Sequence, residues 1–110
     1  MTECFISTEH LNSVGPTFPL GLKEDCVYTE RSFQLQPGHV LLLLTDGMTE
    51  AMNAQKELFG VDRLGECLKQ TDPTGMSAHQ IMNHVTDCVR RFGGDSAQHD
   101  DMMLVVTKVL

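Results

Sequence analysis

Two carboxylate signatures stand beside the most apolar runs of this chain. Thr45-Asp46-Gly47 follows Val40-Leu41-Leu42-Leu43-Leu44, and Asp100-Asp101 precedes Met102-Met103-Leu104-Val105-Val106. A charge at the mouth of a buried strand is expensive unless it is solvated, paired or bound to a metal. Two such carboxylates, Asp46 and Asp100, are the hard oxygen donors that a divalent cation takes. The plainer reading makes Asp46 a loop cap and Asp100 a turn acid.

Elements must hold these groups in place. Val40–Leu44 lacks alternation, which predicts a strand covered on both faces. Val27, Thr29, Arg31, Phe33 and Leu35 alternate with polar neighbours and predict a half-exposed strand over 26–35. Gln36-Pro37-Gly38-His39 between them predicts a type II turn, because proline presets the second position and glycine supplies positive φ at the third. The expectation is an antiparallel hairpin. Residues 3–7 give a weak strand stub, and about 102–109 a closing strand.

Between the carboxylates the period changes. Leu58, Val61, Leu64 and Leu68 recur at helical spacing and predict a helix over 59–70 that Asp72-Pro73-Thr74-Gly75 breaks. Ser77 opens a second helix, with Gln80 placed to complete a capping box. Its apolar stripe is Ile81, Val85, Cys88, Val89 and Phe92, and Gly93-Gly94 ends it. The fold class is therefore α+β, an antiparallel β-sheet with two helices packed on one face. If the closing strand runs antiparallel beside Val40–Leu44, Asp46 and Asp100 share one edge of the sheet.

The 110 residues suit a single domain, residues 1–110, and the 41% hydrophobic and 21% charged fractions are ordinary for a globular chain. A formal charge of −7 without a Lys/Arg-rich stripe argues against nucleic acid and against a polybasic membrane patch. No apolar run approaches a membrane span and the N-terminus has no basic leader, so a soluble, cytoplasmic protein is expected. Cys4, Cys26, Cys67 and Cys88 are scattered without a Cys-x-x-Cys pair and are expected as reduced thiols, with Cys67 and Cys88 packing as small hydrophobes. His79 and His84 are expected to face solvent, His99 to be a solvated loop residue, and Lys56, Arg63, Arg90 and Arg91 to serve surface roles.

Four strings carry a resemblance. Pro19-Leu20-Gly21-Leu22, then Gln36-Pro37-Gly38-His39 running through Thr45-Asp46-Gly47-Met48-Thr49-Glu50-Ala51, then Phe59-Gly60, then Asp100-Asp101-Met102-Met103-Leu104-Val105-Val106 occur in order over residues 19–109. Together they resemble the C-terminal half of bacterial PPM-type protein phosphatases, and more narrowly the SpoIIE-like class of metal-dependent serine/threonine phosphatases. The resemblance implies half of an α-β-β-α sandwich. It implies Asp46 and Asp100 as ligands of a Mn²⁺ or Mg²⁺ centre, with no catalytic residue beyond the metal ligands. Gly47 would let the loop turn close to the metal. Asp101 would support the ligands or be structural, and Glu50 either faces the metal or fixes the loop by a hydrogen bond. The implied substrate is a phosphoserine or phosphothreonine on a regulatory protein, typically an anti-sigma-factor antagonist in stress or sporulation signalling.

The resemblance also has a gap. Family members are longer, and their N-terminal half supplies the aspartate that bridges two metals. No Asp-Gly or Gly-Asp pair stands upstream of residue 36. The chain is therefore expected to be a truncated domain with weak or absent metal binding and little activity alone. The alternative is a degenerate, non-catalytic module that acts by binding protein. The apolar face left open predicts a homo-oligomer that covers it.

Overall fold

The computed structural model describes residues 2–6, 9–11, 20–72, 74–94 and 101–110. His99 and Asp100 lie outside them, as do residues 12–19. Among the described residues four strands form one sheet: β1 (Thr2–Ile6), β2 (Glu9–Leu11), β3 (Val40–Thr45) and β4 (Leu104–Lys108). Their order is β2-β1-β3-β4, and each neighbouring pair is antiparallel. The described residues also form the helices α1 (Asp46–Thr49), α2 (Gly60–Lys69) and α3 (Ala78–Gly93). The α+β class holds, and α1 is an extra turn of helix where the sequence suggested only a loop.

β3 sits in the middle of the core. Leu42 lies opposite Phe5 on one side and Val106 on the other. The strand's period of two turns Val40, Leu42 and Leu44 inward. There they meet Leu64 of α2 and Ile81, Val85 and Val89 of α3 in one cluster. The opposite face differs from the expectation of cover on both sides. Leu41 and Leu43 are only half-buried, and on β4 Met103 and Val105 are 64% and 53% exposed.

The hairpin is a second difference. Its turn forms as expected: the His39 N–H donates to the Gln36 carbonyl at 2.9 Å, and Gly38 has φ of 89°. Residues 26–35, however, form no strand with any of the described residues. β1 takes the place beside β3 because Phe5, 1% exposed, fills the core position opposite Leu42. Val27 and Phe33 stay exposed at 86% and 46%, so the alternation of 26–35 has no buried face to report. Gly38 and His39 bond instead to Val109, continuing the β3–β4 pairing past the strand ends.

The helices follow their sequence signals closely. Ser77 caps α3: its hydroxyl accepts from the Gln80 N–H at 3.1 Å, and the Gln80 side chain accepts from the Ser77 N–H at 2.8 Å. Ser77→Ala should cost about 1 kcal/mol of stability, read from urea unfolding, because one first-turn donor loses its partner. Ahead of that cap, Asp72 accepts from the Thr74 hydroxyl at 2.7 Å and the Thr74 N–H at 3.0 Å. Those bonds, first the hydroxyl's, hold its carboxyl below the usual range. Lys108 at the end of β4 donates to the Met76 carbonyl at 2.8 Å, tying the sheet to the start of α3. Among the described residues no helix is long and apolar enough to cross a membrane.

Candidate functional site

The edge of the sheet where β3 ends is organised by Thr45. Its N–H donates to the Met103 carbonyl at 3.1 Å. Its hydroxyl accepts from the Met103 N–H at 3.0 Å and donates to the Asp101 carbonyl at 3.2 Å. One side chain thus links the last residue of β3 to the segment leading into β4. Asp46 is the next residue after Thr45, and Asp101 is the residue whose carbonyl Thr45 holds. The antiparallel register, with Leu44 opposite Leu104, brings both to the same edge. Asp100, the second ligand expected from sequence, adjoins Asp101 but lies outside the described residues.

Beyond Thr45 the chain turns at once into α1. Thr45 is extended at φ −90° and ψ 166°, and Asp46 begins the helical turn. The Asp46 carbonyl accepts from the Glu50 N–H at 2.7 Å and from the Thr49 hydroxyl at 3.4 Å. Gly47, Met48 and Thr49 are buried beneath this turn, so the backbone carrying Asp46 is anchored from below. Asp46 is itself half-buried, whereas Glu50 and Asp101 are exposed. Gly47 belongs to the helical turn, so its place is a buried backbone position rather than an open loop.

The chain then returns along residues 51–59. Phe59 N–H donates to the Ala51 carbonyl at 2.8 Å. The Asn53 carboxamide oxygen accepts from the N–H groups of Gln55 at 3.0 Å and Glu57 at 2.9 Å, an arrangement that tightens the loop. Phe59, 5% exposed, stacks edge-on against Phe92 at 5.5 Å. The Arg63 guanidinium lies 4.5 Å from the centre of that Phe92 ring and bonds the Leu58 carbonyl. These contacts hold Arg63 against the loop and fix the start of α2.

The donors that the β3 edge offers are oxygens: the carboxylates of Asp46 and Asp101 and the hydroxyl and carbonyls around Thr45. That set fits Mg²⁺ or Mn²⁺ better than a thiophilic metal. In the sequence Thr45 stands only as part of the Thr-Asp-Gly motif. Its signal was a hydroxyl at the last position of a strand beside an acidic residue.

A second cluster departs from what the sequence predicts. Cys67 of α2 and Cys88 of α3 were expected as separate reduced thiols, and His84 as solvent-facing. In the structure Cys67 and Cys88 are disulfide-bonded, with Cα atoms 6.5 Å apart. His84 turns back onto α2, its Nε2 3.0 Å from the Cys67 carbonyl oxygen. The packing of α2 against α3 brings together residues 21 apart in sequence, which spacing without a Cys-x-x-Cys pair does not reveal. Cys26 remains a free thiol.

Comparison with known proteins places this geometry. The family model described as Stage II sporulation protein E (SpoIIE) matches residues 7–110. Protein IcfG of Synechocystis sp. is 29% identical over 100 residues, which cover 86% of this chain and 14% of that protein. No solved structure matches. With the match running from before β2 to the end of β4 and including the β3 edge, the chain belongs to the SpoIIE family and is a PPM-type phosphatase-related domain.

Proposed function

We propose that this chain contributes the β3–β4 edge of a Mn²⁺- or Mg²⁺-dependent phosphatase centre acting on phosphoserine or phosphothreonine of a cytoplasmic regulatory protein. The observation that carries the reading is the bracing of Thr45, the residue before Asp46, against the Asp101 carbonyl and the Met103 N–H at the start of the closing strand. Asp46 and Asp100 would hold the metal, with Asp101 and Glu50 in supporting roles. The ions, when bound, supply an activated water for attack at phosphorus. The protein's part is to fix carboxylate positions: Thr45 spans the two strands, and the buried turn of α1 keeps Asp46 at the strand mouth.

Two carboxylates make a low-charge oxygen site, for which affinity in about the millimolar range is expected. We therefore expect little turnover from this chain by itself, and a binding role toward a phosphoprotein, such as an anti-sigma-factor antagonist, is the second reading. Hydrolysis of p-nitrophenyl phosphate with Mn²⁺, compared between this chain and Asp46→Asn, separates the two. Metal-dependent turnover abolished by Asp46→Asn supports the catalytic reading. Metal-dependent turnover that survives the substitution overturns the site. A chain without turnover that still binds Mn²⁺ through Asp46 supports the binding role.

The open face of the sheet needs a cover. Leu41 and Leu43 on β3 and Met103 and Val105 on β4 line it, and exposed apolar faces of this kind favour association. We propose a second copy of the chain as that cover. Size-exclusion chromatography with light scattering should give a dimer or larger species at micromolar concentration; a clean monomer contradicts it.

A further inference from the structure

The α2–α3 seam holds a chemistry that the sheet edge does not use. Cys67, His84 and Cys88 each offer one ligand atom, and these atoms lie within 4.8 Å of one another. His84 and Cys88 are four residues apart on α3, one turn of helix, so they project from the same face. Cys67 meets them from α2. His84 Nε2 is 3.7 Å from Cys88 Sγ. Cys67 is buried, and His84 and Cys88 are half-buried.

We propose that the reduced form of this seam is a binding site for a thiophilic metal cation, Zn²⁺ or a similar ion, held by Cys67, His84 and Cys88. Two thiolates and an imidazole are a common zinc donor set, leaving a fourth position for water or a small ligand. The Cα separation of 6.5 Å lets both sulfurs reach one ion at a metal–sulfur distance of about 2.3 Å. An open groove lined by Arg63, Glu66, Gln70 and Arg91 runs past both cysteines and gives the ion access. The Arg91 guanidinium lies 3.9 Å from Cys88 Sγ, where its charge favours the thiolate that a metal requires.

His84 must change partner to ligate. Its Nε2 now faces the Cys67 carbonyl, which also accepts from the Gln70 N–H at 3.2 Å. That carbonyl keeps a donor when the imidazole turns its lone pair toward the metal. The disulfide and the metal are alternatives for the same sulfurs. Reduction by a small-molecule thiol delivers two electrons and two protons to the disulfide, giving two thiols while the reductant leaves as its own disulfide. Metal binding then releases those two protons and forms two metal–sulfur bonds. This site is distinct in chemistry from the oxygen-donor edge at β3.

The test is a Co²⁺ titration of the full chain, reduced with a phosphine and checked for fold by circular dichroism. One Co²⁺ per chain should bind with a thiolate-to-cobalt charge-transfer band and tetrahedral d–d absorption, and Zn²⁺ should displace it. The band should be lost in Cys88→Ser, retained when Cys4 and Cys26 are both replaced by serine, and absent from the oxidised chain. His84→Ala should weaken Co²⁺ binding at least about tenfold, no less than the loss of a ligand's supporting partner costs. Zn²⁺ should also slow alkylation of Cys67 and Cys88 in the unmutated chain, a readout that needs no variant to fold. A folded, reduced chain without the band overturns the proposal. So does a band that survives Cys88→Ser, equal binding by the oxidised chain, or alkylation unaffected by Zn²⁺.

Discussion

Leu42→Ala should lower the unfolding free energy by about 3 kcal/mol, within the range of about 2–5 kcal/mol typical of large-to-small core substitutions. Leu42 has no exposed surface and lies in register with Phe5 and Val106 at once. The helices close over the same position through Leu64 and Ile81. A cavity there would be lined by three strands and two helices, none of which can collapse without moving its other contacts. Urea unfolding should show a lower midpoint with an unchanged slope. Val105→Ala, on the open face of the neighbouring strand, should change stability by less than about 1 kcal/mol. Equal losses at the two positions would mean that the sheet buries its faces differently.

Asp46→Asn should leave that stability nearly intact while removing Mn²⁺ binding from the measurable range. The substitution keeps the side-chain shape and leaves the backbone carbonyl that holds Glu50 and Thr49. What it removes is a charged oxygen donor. In a site built on two carboxylates, one of them carries about half of the attraction for the ion, and hard cations bind by charge count. Thr45→Val offers a graded contrast. It retains both carboxylates but deletes the hydroxyl that braces Asp101 and Met103, so affinity should weaken without vanishing. If Asp46→Asn and the unmutated chain bind Mn²⁺ alike, the carboxylate edge is not the metal centre.

Much of this architecture was legible because local signals and tertiary packing agreed. Ser77 and Gln80 announced a helix start that both side chains then made, and the buried runs announced β3 and β4. Residues 26–35 show where agreement fails. Their alternation has the period of a strand, but strand pairing is decided by which segment can fill the core, and Phe5 in β1 does that. Alternation alone cannot say that a better partner lies elsewhere in the chain.

The candidate site divides in the same way. The common edge of β3 and β4 followed from antiparallel logic applied to two motifs, and the structure supplies the register. Thr45 was overlooked because a hydroxyl's value depends on what lies across the strand, which only the register reveals. Cys67, His84 and Cys88 were overlooked for a similar reason. The one-turn spacing of His84 and Cys88 was visible, but the third member arrives from another helix, and the pairing of α2 with α3 is a tertiary fact.

If the β3–β4 edge is a metal-binding carboxylate centre, paramagnetic broadening of backbone amide signals by Mn²⁺ will locate the ion there. Titrated into the full chain, Mn²⁺ should first extinguish the amides of Gly47, Glu50, Asp101 and Met102, and Asp46→Asn should abolish that pattern. Broadening that begins elsewhere on the acidic surface, or that persists unchanged in Asp46→Asn, would contradict it.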